Sequence, residues 1–124
     1  MRFGFYLPTR GPLGNPDDIA EIARAGEGLG YGTIVIGDHI VFPIKVASPY
    51  PYTVDGGFPG VGDAMEQLTL MSYVAGITTT PRLVTSVMIL PHRNPLVTAK
   101  ILATIDVLSK GRVTVGVGVG WMRE

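Results

Sequence analysis

Leu108-Ser109-Lys110-Gly111-Arg112-Val113-Thr114-Val115-Gly116-Val117-Gly118-Val119-Gly120-Trp121 is the stretch that decides the fold class. A helix ends at Gly111, a strand of Val and Thr follows, and the strand opens into a glycine-rich turn. Strands that deliver glycines to their C-terminal ends are how α/β proteins bring backbone close to a bound ligand. Three residues after Trp121 the chain reaches Glu124, so the strand has no helix after it. The stretch predicts a ligand site and, with it, an unfinished domain.

The same strand-and-helix grammar runs back to the N-terminus. Phe3 to Leu7 reads as a short strand. Asn15-Pro16-Asp17-Asp18 starts a helix, with Asn15 as cap, Pro16 in the first turn and two Asp on the positive dipole end. Ile19, Ile22, Ala23, Gly26 and Leu29 share one face of it, and Gly30 stops it. Thr33 to Ile36 is the second strand. Asp63 and Glu66 form a capping box for a helix that turns Leu68, Met71, Ala75 and Ile77 inward and closes before Pro81. Leu83 to Leu90 is an apolar, β-branched strand with almost no alternation. Asn94-Pro95 starts a third helix, with Val97, Ile101, Ile105 and Leu108 inward, and Arg112 to Val117 is the fourth strand. The result is β-α-β-α-β-α-β, the grammar of parallel βαβ units.

Composition narrows the function classes. The chain has 124 residues, at most one domain, with 46% hydrophobic and 16% charged residues. Ten basic and ten acidic residues leave net charge zero and no basic block, which argues against nucleic acid or an anionic membrane as partner. Cysteine is absent, which excludes disulfides and a thiol nucleophile. No apolar run approaches the roughly 20 residues of a membrane span, and the N-terminus is broken by Pro8 too early for a signal peptide. The expectation is a soluble, cytoplasmic protein.

One connection is out of scale. His39 to Gly62 carries Pro43, Pro49, Pro51 and Pro59 with the aromatics Phe42, Tyr50, Tyr52 and Phe58. Loops longer than about 12–15 residues are usually functional or disordered. The aromatics predict an ordered lid or pocket wall, or an oligomer contact. Asp38-His39 opens this loop at a strand C-terminus: His39 can exchange a proton near neutral pH beside Asp38, or the pair satisfies loop backbone. His92 and Arg93 stand on another loop, contacting an anionic group or capping the next helix. The two histidines lack metal-ligand spacing. Gly116-Val117-Gly118-Val119-Gly120 approximates a dinucleotide fingerprint, with Trp121 where a third glycine belongs; close packing at a strand end is the simpler account.

Set in order, Phe3–Pro8, Ala25–Tyr31, Gly37-Asp38-His39, Thr85–Pro95 and Ala103–Trp121 resemble the N-terminal half of the luciferase-like monooxygenase family. The resemblance implies a partial (β/α)8 TIM barrel of about four parallel strands, binding FMN or the deazaflavin coenzyme F-420 at the C-terminal face. It implies hydride transfer to a small-molecule substrate. Asp38 and His39 match the catalytic rim pair. Ser86-Val87 matches a strand-three bulge whose peptide is often cis and supports the cofactor ring, and Gly118 and Gly120 match the strand end against the ring edge. Trp121 replaces the Glu carried by sugar-phosphate dehydrogenases of the family, which argues against that substrate.

A full barrel takes about 250 residues. Half of one leaves an open inner face, expected around Phe3, Phe5, Val35, Val87, Ile89, Val113 and Val115 or their alternates. The expectation is a fragment of a longer protein or a homo-oligomer, inactive when isolated. Two rivals stand beside the oxidoreductase: a non-catalytic half-barrel that self-associates, and a doubly wound nucleotide-binding domain. Helices on one face of the sheet favour the barrel; helices on both favour the doubly wound fold.

Overall fold

The computed structural model describes residues 1–60 and 62–124; Val61, in the long loop, lies outside the described residues. The elements are β1 (Gly4–Tyr6), α1 (Pro16–Gly28), β2 (Thr33–Ile36), α2 (Gln67–Ile77), β3 (Arg82–Ile89), α3 (Pro95–Ser109) and β4 (Val113–Gly118), with one 3-10 turn, Leu90–His92, after β3. The four strands form one parallel sheet in the order β1-β2-β3-β4. Strand order equal to chain order, with each helix crossing over the same side, is the arc of a (β/α) barrel.

The core lies between that sheet and the helices. Leu7, Ile34, Ile36, Leu83 and Met88 pack from the strands against Ile19, Ala23, Leu68, Met71, Val74 and Ile105 from the helices, all but fully buried. The alternate strand positions are open: Tyr6 is 63% and Val87 46% exposed. One covered face excludes the doubly wound alternative. The expected inner face needs correction, because Phe5 and Val113 pack toward the helices. Phe5 is drawn there by Tyr31, edge-on at a centroid distance of 5.4 Å.

Helix starts follow the local chemistry. The Asn15 side chain accepts from Asp18 N at 3.0 Å, and Asn94 accepts from Leu96 N and Val97 N at 3.1 Å, each with Pro next in line. α2 differs from the expected capping box: Glu66 is itself the N-cap, accepting from Thr69 N at 2.7 Å, and Asp63 lies outside the helix. α3 ends in a left-handed Lys110 followed by Gly111 at φ 81°, with Gly111 N donating to Asp106 O at 2.8 Å.

Two inward faces also move. Leu29, expected inside, is 78% exposed beyond the end of α1. On α3, Ile105 is buried as expected, but Val97, Ile101 and Leu108 point outward, and Thr98 and Ser109 are buried in their place. This helix is apolar all round, so periodicity does not select a face. The two buried hydroxyls are satisfied within the helix, Thr98 donating to Asn94 O at 2.8 Å and Ser109 to Asp106 O at 3.1 Å.

Below the sheet, Arg112 fastens the crossover between α2 and β3. Its guanidinium donates to Ala75 O, Thr78 O, Pro81 O and Ser109 O at 2.7–2.9 Å and to Thr78 Oγ1 at 3.1 Å. Two of these carbonyls belong to the C-terminal turn of α2, where a cation also opposes the helix dipole. Glu27 from α1 accepts from the backbone and hydroxyls of Thr79 and Thr80 at 2.6–2.9 Å.

Candidate functional site

Parallel strands gather their C-terminal ends on one rim, and the chemistry-bearing residues converge there. A cavity of about 660 Å³ opens on that rim, within the range of small-molecule sites. It is lined by Tyr6 of β1 and Arg10 after it, by Asp38 and His39 just after β2, by Ser86 and Val87 of β3, and by Gly118 of β4 with Gly120 and Trp121 after it. Asp38, His39, Ser86, Val87, Gly118 and Gly120 therefore meet in one place, whereas His92 and Arg93 stay outside the lining.

Its floor is made at the junction of β3 and β4. The pairing register shifts between Thr85 and Met88, and the Ser86–Val87 peptide there is cis. Thr85 spans the shift with its hydroxyl, donating to Gly116 O at 2.8 Å and accepting from Gly116 N at 2.9 Å. Gly116 has no room for a side chain, since a Cβ would lie 2.5 Å from Thr85 O. At Gly118 a Cβ would lie 2.7 Å from Val87 Cγ2. Gly120 has φ 81°, where glycine is favoured. From β1, the Tyr6 hydroxyl meets Ser86 Oγ at 2.5 Å. This contact was not read from the sequence; Tyr6 occupies the strand parity that faces the barrel interior, which is the signal for it.

The wall is the long loop after β2. His39 stacks on Phe42 at 4.4 Å with 17° between the planes, and on Phe58 at 5.6 Å. Trp121 packs on Tyr50 at 5.0 Å and Phe58 at 5.2 Å, joining the loop to the end of β4. Glu124 pins the same loop farther out, accepting from Ala47 N, Ser48 N and Ser48 Oγ at 2.6–2.9 Å. The loop is thus an aromatic pocket wall.

Electrostatics separate the two rim residues. The Asp38 side chain has no solvent exposure: Oδ1 pairs with Arg93 Nη2 at 2.7 Å, and Oδ2 accepts from Ile89 N at 2.8 Å. Arg93 also pairs with Glu66 at 2.7 Å. Burial works against the Arg93 cation, but Glu66 and Asp38 outweigh it and raise its pKa. Arg93 was expected to meet an anionic group or cap the next helix; it meets these two carboxylates, and α3 is capped by Asn94 instead. His92 is exposed on the turn after β3. His39 is half-buried and carries a lowered pKa, chiefly from burial and then from the nearby Arg10 cation, with Asp38 opposing and His92 adding. His39 is therefore neutral at neutral pH and able to take a proton.

Set beside known proteins, residues 1–124 match the family described as luciferase-like monooxygenase. An uncharacterized protein of Mycobacterium tuberculosis is 36% identical over 126 residues, covering 98% of this chain and 43% of the relative. The chain thus spans less than half the length of the curated relatives it matches. The coenzyme F-420 dependent tetrahydromethanopterin reductase from Methanopyrus kandleri superposes with a TM-score of 0.69 at 25% identity, over 96% of this chain and 27% of that one. The oxygenating constituent of 3,6-diketocamphane monooxygenase from Pseudomonas putida, in complex with FMN, gives a TM-score of 0.65 over 97% of this chain and 30% of that one. At 18% identity the latter likeness concerns the fold.

Proposed function

Because the chain belongs to the luciferase-like monooxygenase family, we propose that its rim cavity is the N-terminal half of an oxidoreductase site for coenzyme F-420 or FMN and a small organic substrate. The carrying observation is the floor: Ser86, Val87 and Gly118 form a surface with no side chain at 118 and Val87 46% exposed on the open sheet face. A flat ring fits such a cradle, and a Cβ at 118 would close it against Val87. Ser86, Val87, Gly118 and Gly120 are assigned to hold the cofactor, which when bound supplies hydride transfer. The Tyr6 hydroxyl fixes Ser86 from below. His39 faces the substrate side, where its neutral imidazole takes or returns the substrate proton. Asp38, expected beside it as a catalytic group, is assigned a positioning role, holding Arg93 and the end of β3 so that the rim keeps its shape.

Fluorescence titration of the chain with FMN and with F-420 tests this reading. His39→Ala should keep cofactor binding and, in a complete enzyme, lower turnover by about 10²–10⁴-fold. Gly118→Leu should abolish binding. Cofactor loss in His39→Ala together with normal binding by Gly118→Leu would reverse the assignment.

A second reading, a half-barrel that self-associates without catalysis, draws on exposed apolar groups. Val115, Val117 and Val119 on or after β4 are 41%, 52% and 81% exposed, in addition to Tyr6 and Val87. The same surface favours a homo-oligomeric enzyme. Sedimentation of the chain at micromolar concentration should show dimers or larger species; a compact monomer would remove both association proposals.

A further inference from the structure

Arg10 is, among the described residues, a cation in the cavity without a counter-ion. Among the described residues the side-chain ion pairs belong to Arg93, with Asp38 and Glu66, and no carboxylate lies within 4.0 Å of Arg10. Its guanidinium carbon lies 5.5 Å from the Phe42 ring centre and 5.9 Å from that of Phe58. Aromatic faces offset part of a cation's charge but accept little from its in-plane N–H donors. Nη1 is buried against Gly60, with no hydrogen-bond partner among the described residues. A partly buried cation without a counter-charge is unfavourable, and an anion that meets the guanidinium from the cavity side offsets it.

We propose that the cavity selects substrates bearing a carboxylate or phosphate on a planar apolar body, with Arg10 as the specificity-determining residue that pairs with this anion beside His39. The inference rests on reading the rim cavity as the substrate site. The planar body suits the stacked wall of Phe42 and Phe58, which already receives the His39 ring. Arg10 follows β1, three strand spacings or roughly 14 Å across the sheet from β4, which assigns it to the substrate side and away from the Gly118 floor. The anion also acts on His39. The charged or titratable groups around that imidazole are Arg10, Asp38 and His92, with Tyr50 and Tyr52 lining the same cavity. Neutralising Arg10 removes a repulsion, so substrate binding itself favours the protonated imidazole.

The test uses the whole chain and three small probes: benzoate, phenyl phosphate and the neutral benzamide, followed through the His39 ring signals by NMR. At least one anion should bind about tenfold or more tightly than benzamide and shift the His39 titration to higher pH. The tighter of the two anions identifies carboxylate or phosphate as the preferred group. Arg10→Met should reduce anion affinity to the benzamide level, Arg10→Lys should restore part of it, and both should keep FMN and F-420 affinity and the circular dichroism of the parent. Anions binding no better than benzamide, or a preference that survives in Arg10→Met, would overturn the proposal. So would loss of cofactor binding in Arg10→Met, because Arg10 would then serve the cofactor. Anion preference in a chain that binds neither cofactor supports this inference and counts against the cofactor reading alone.

Discussion

Replacing Gly26 by Ala separates intrinsic helix preference from tertiary packing at one position. Gly26 is buried inside α1, and a Cβ there would stand well within contact distance of Phe5 Cε1 and Cζ and 3.3 Å from Cδ1. Carbon atoms prefer about 3.5–4.0 Å, so the ring has to retreat by about an ångström. Retreat pulls Phe5 from its edge-on contact with Tyr31. Overpacking costs about 2 kcal/mol and the weakened aromatic pair about 1 kcal/mol, against a gain of about 1 kcal/mol from Ala in a helix. The net is a destabilisation of about 2 kcal/mol. Gly76 in α2 is exposed, with nothing within 4 Å of a built Cβ, so Gly76→Ala should stabilise by up to about 1 kcal/mol. Urea denaturation followed by far-ultraviolet circular dichroism measures both. Adding Phe5→Leu to Gly26→Ala should recover part of the loss. If Gly26→Ala raises the midpoint as Gly76→Ala does, the close approach of α1 to β1 is not as described.

Two further outcomes concern the face opposite the cavity. Arg112→Met leaves the carbonyls of Ala75, Thr78 and Pro81 without their donor, and should cost about 2–4 kcal/mol in the same denaturation assay; Arg112→Lys should recover less than half, because one ammonium cannot reach all of them, and full recovery would contradict the clamp. Burial opposes ionisation of Glu27, but the hydrogen bonds from Thr80 and Thr79 prevail and hold its pKa at about 2. A depressed carboxyl contributes stability above its unfolded pKa near 4.5 and loses it as pH falls toward 2. Solvent screening limits this to about 1 kcal/mol, so Glu27→Gln should be less stable than the parent at pH 6 and nearly equal to it at pH 2. A constant difference across that range would refute the assignment.

Much of the fold was legible because its signals are local. Asn-Pro at positions 15–16 and 94–95 and Gly at 30 and 111 fix helix ends by chemistry within a few residues, and the structure follows them. Gly118 stands in the glycine run that ends the last strand, Ser86-Val87 is marked by the resemblance, and the structure brings them together with His39 on one rim. What escaped depends on contacts between distant segments. α3 is apolar on every side, so which face turns inward is decided by α2 and the sheet. The start of α2 shifts because Glu66 serves Thr69 and Arg93 at once, and Arg93 lies 27 residues further on. Asp38 reads as a reactive partner of His39 until Arg93 is seen on it, 55 residues away. Arg10 is silent in the sequence for the same reason: what distinguishes it is a missing partner among the described residues, and that shows only in three dimensions.

The cavity has a floor and a wall of different chemical kinds. The floor consists of main chain, glycines and one strand bulge, fastened by Thr85 to Gly116. The wall consists of side chains carried on a connection outside every helix and strand. Substitutions in the wall can change shape and charge without touching the sheet, whereas those in the floor disturb strand pairing. A lineage with this arrangement can rewrite the shape and charge of the cavity through one loop while inheriting the strand-end floor intact.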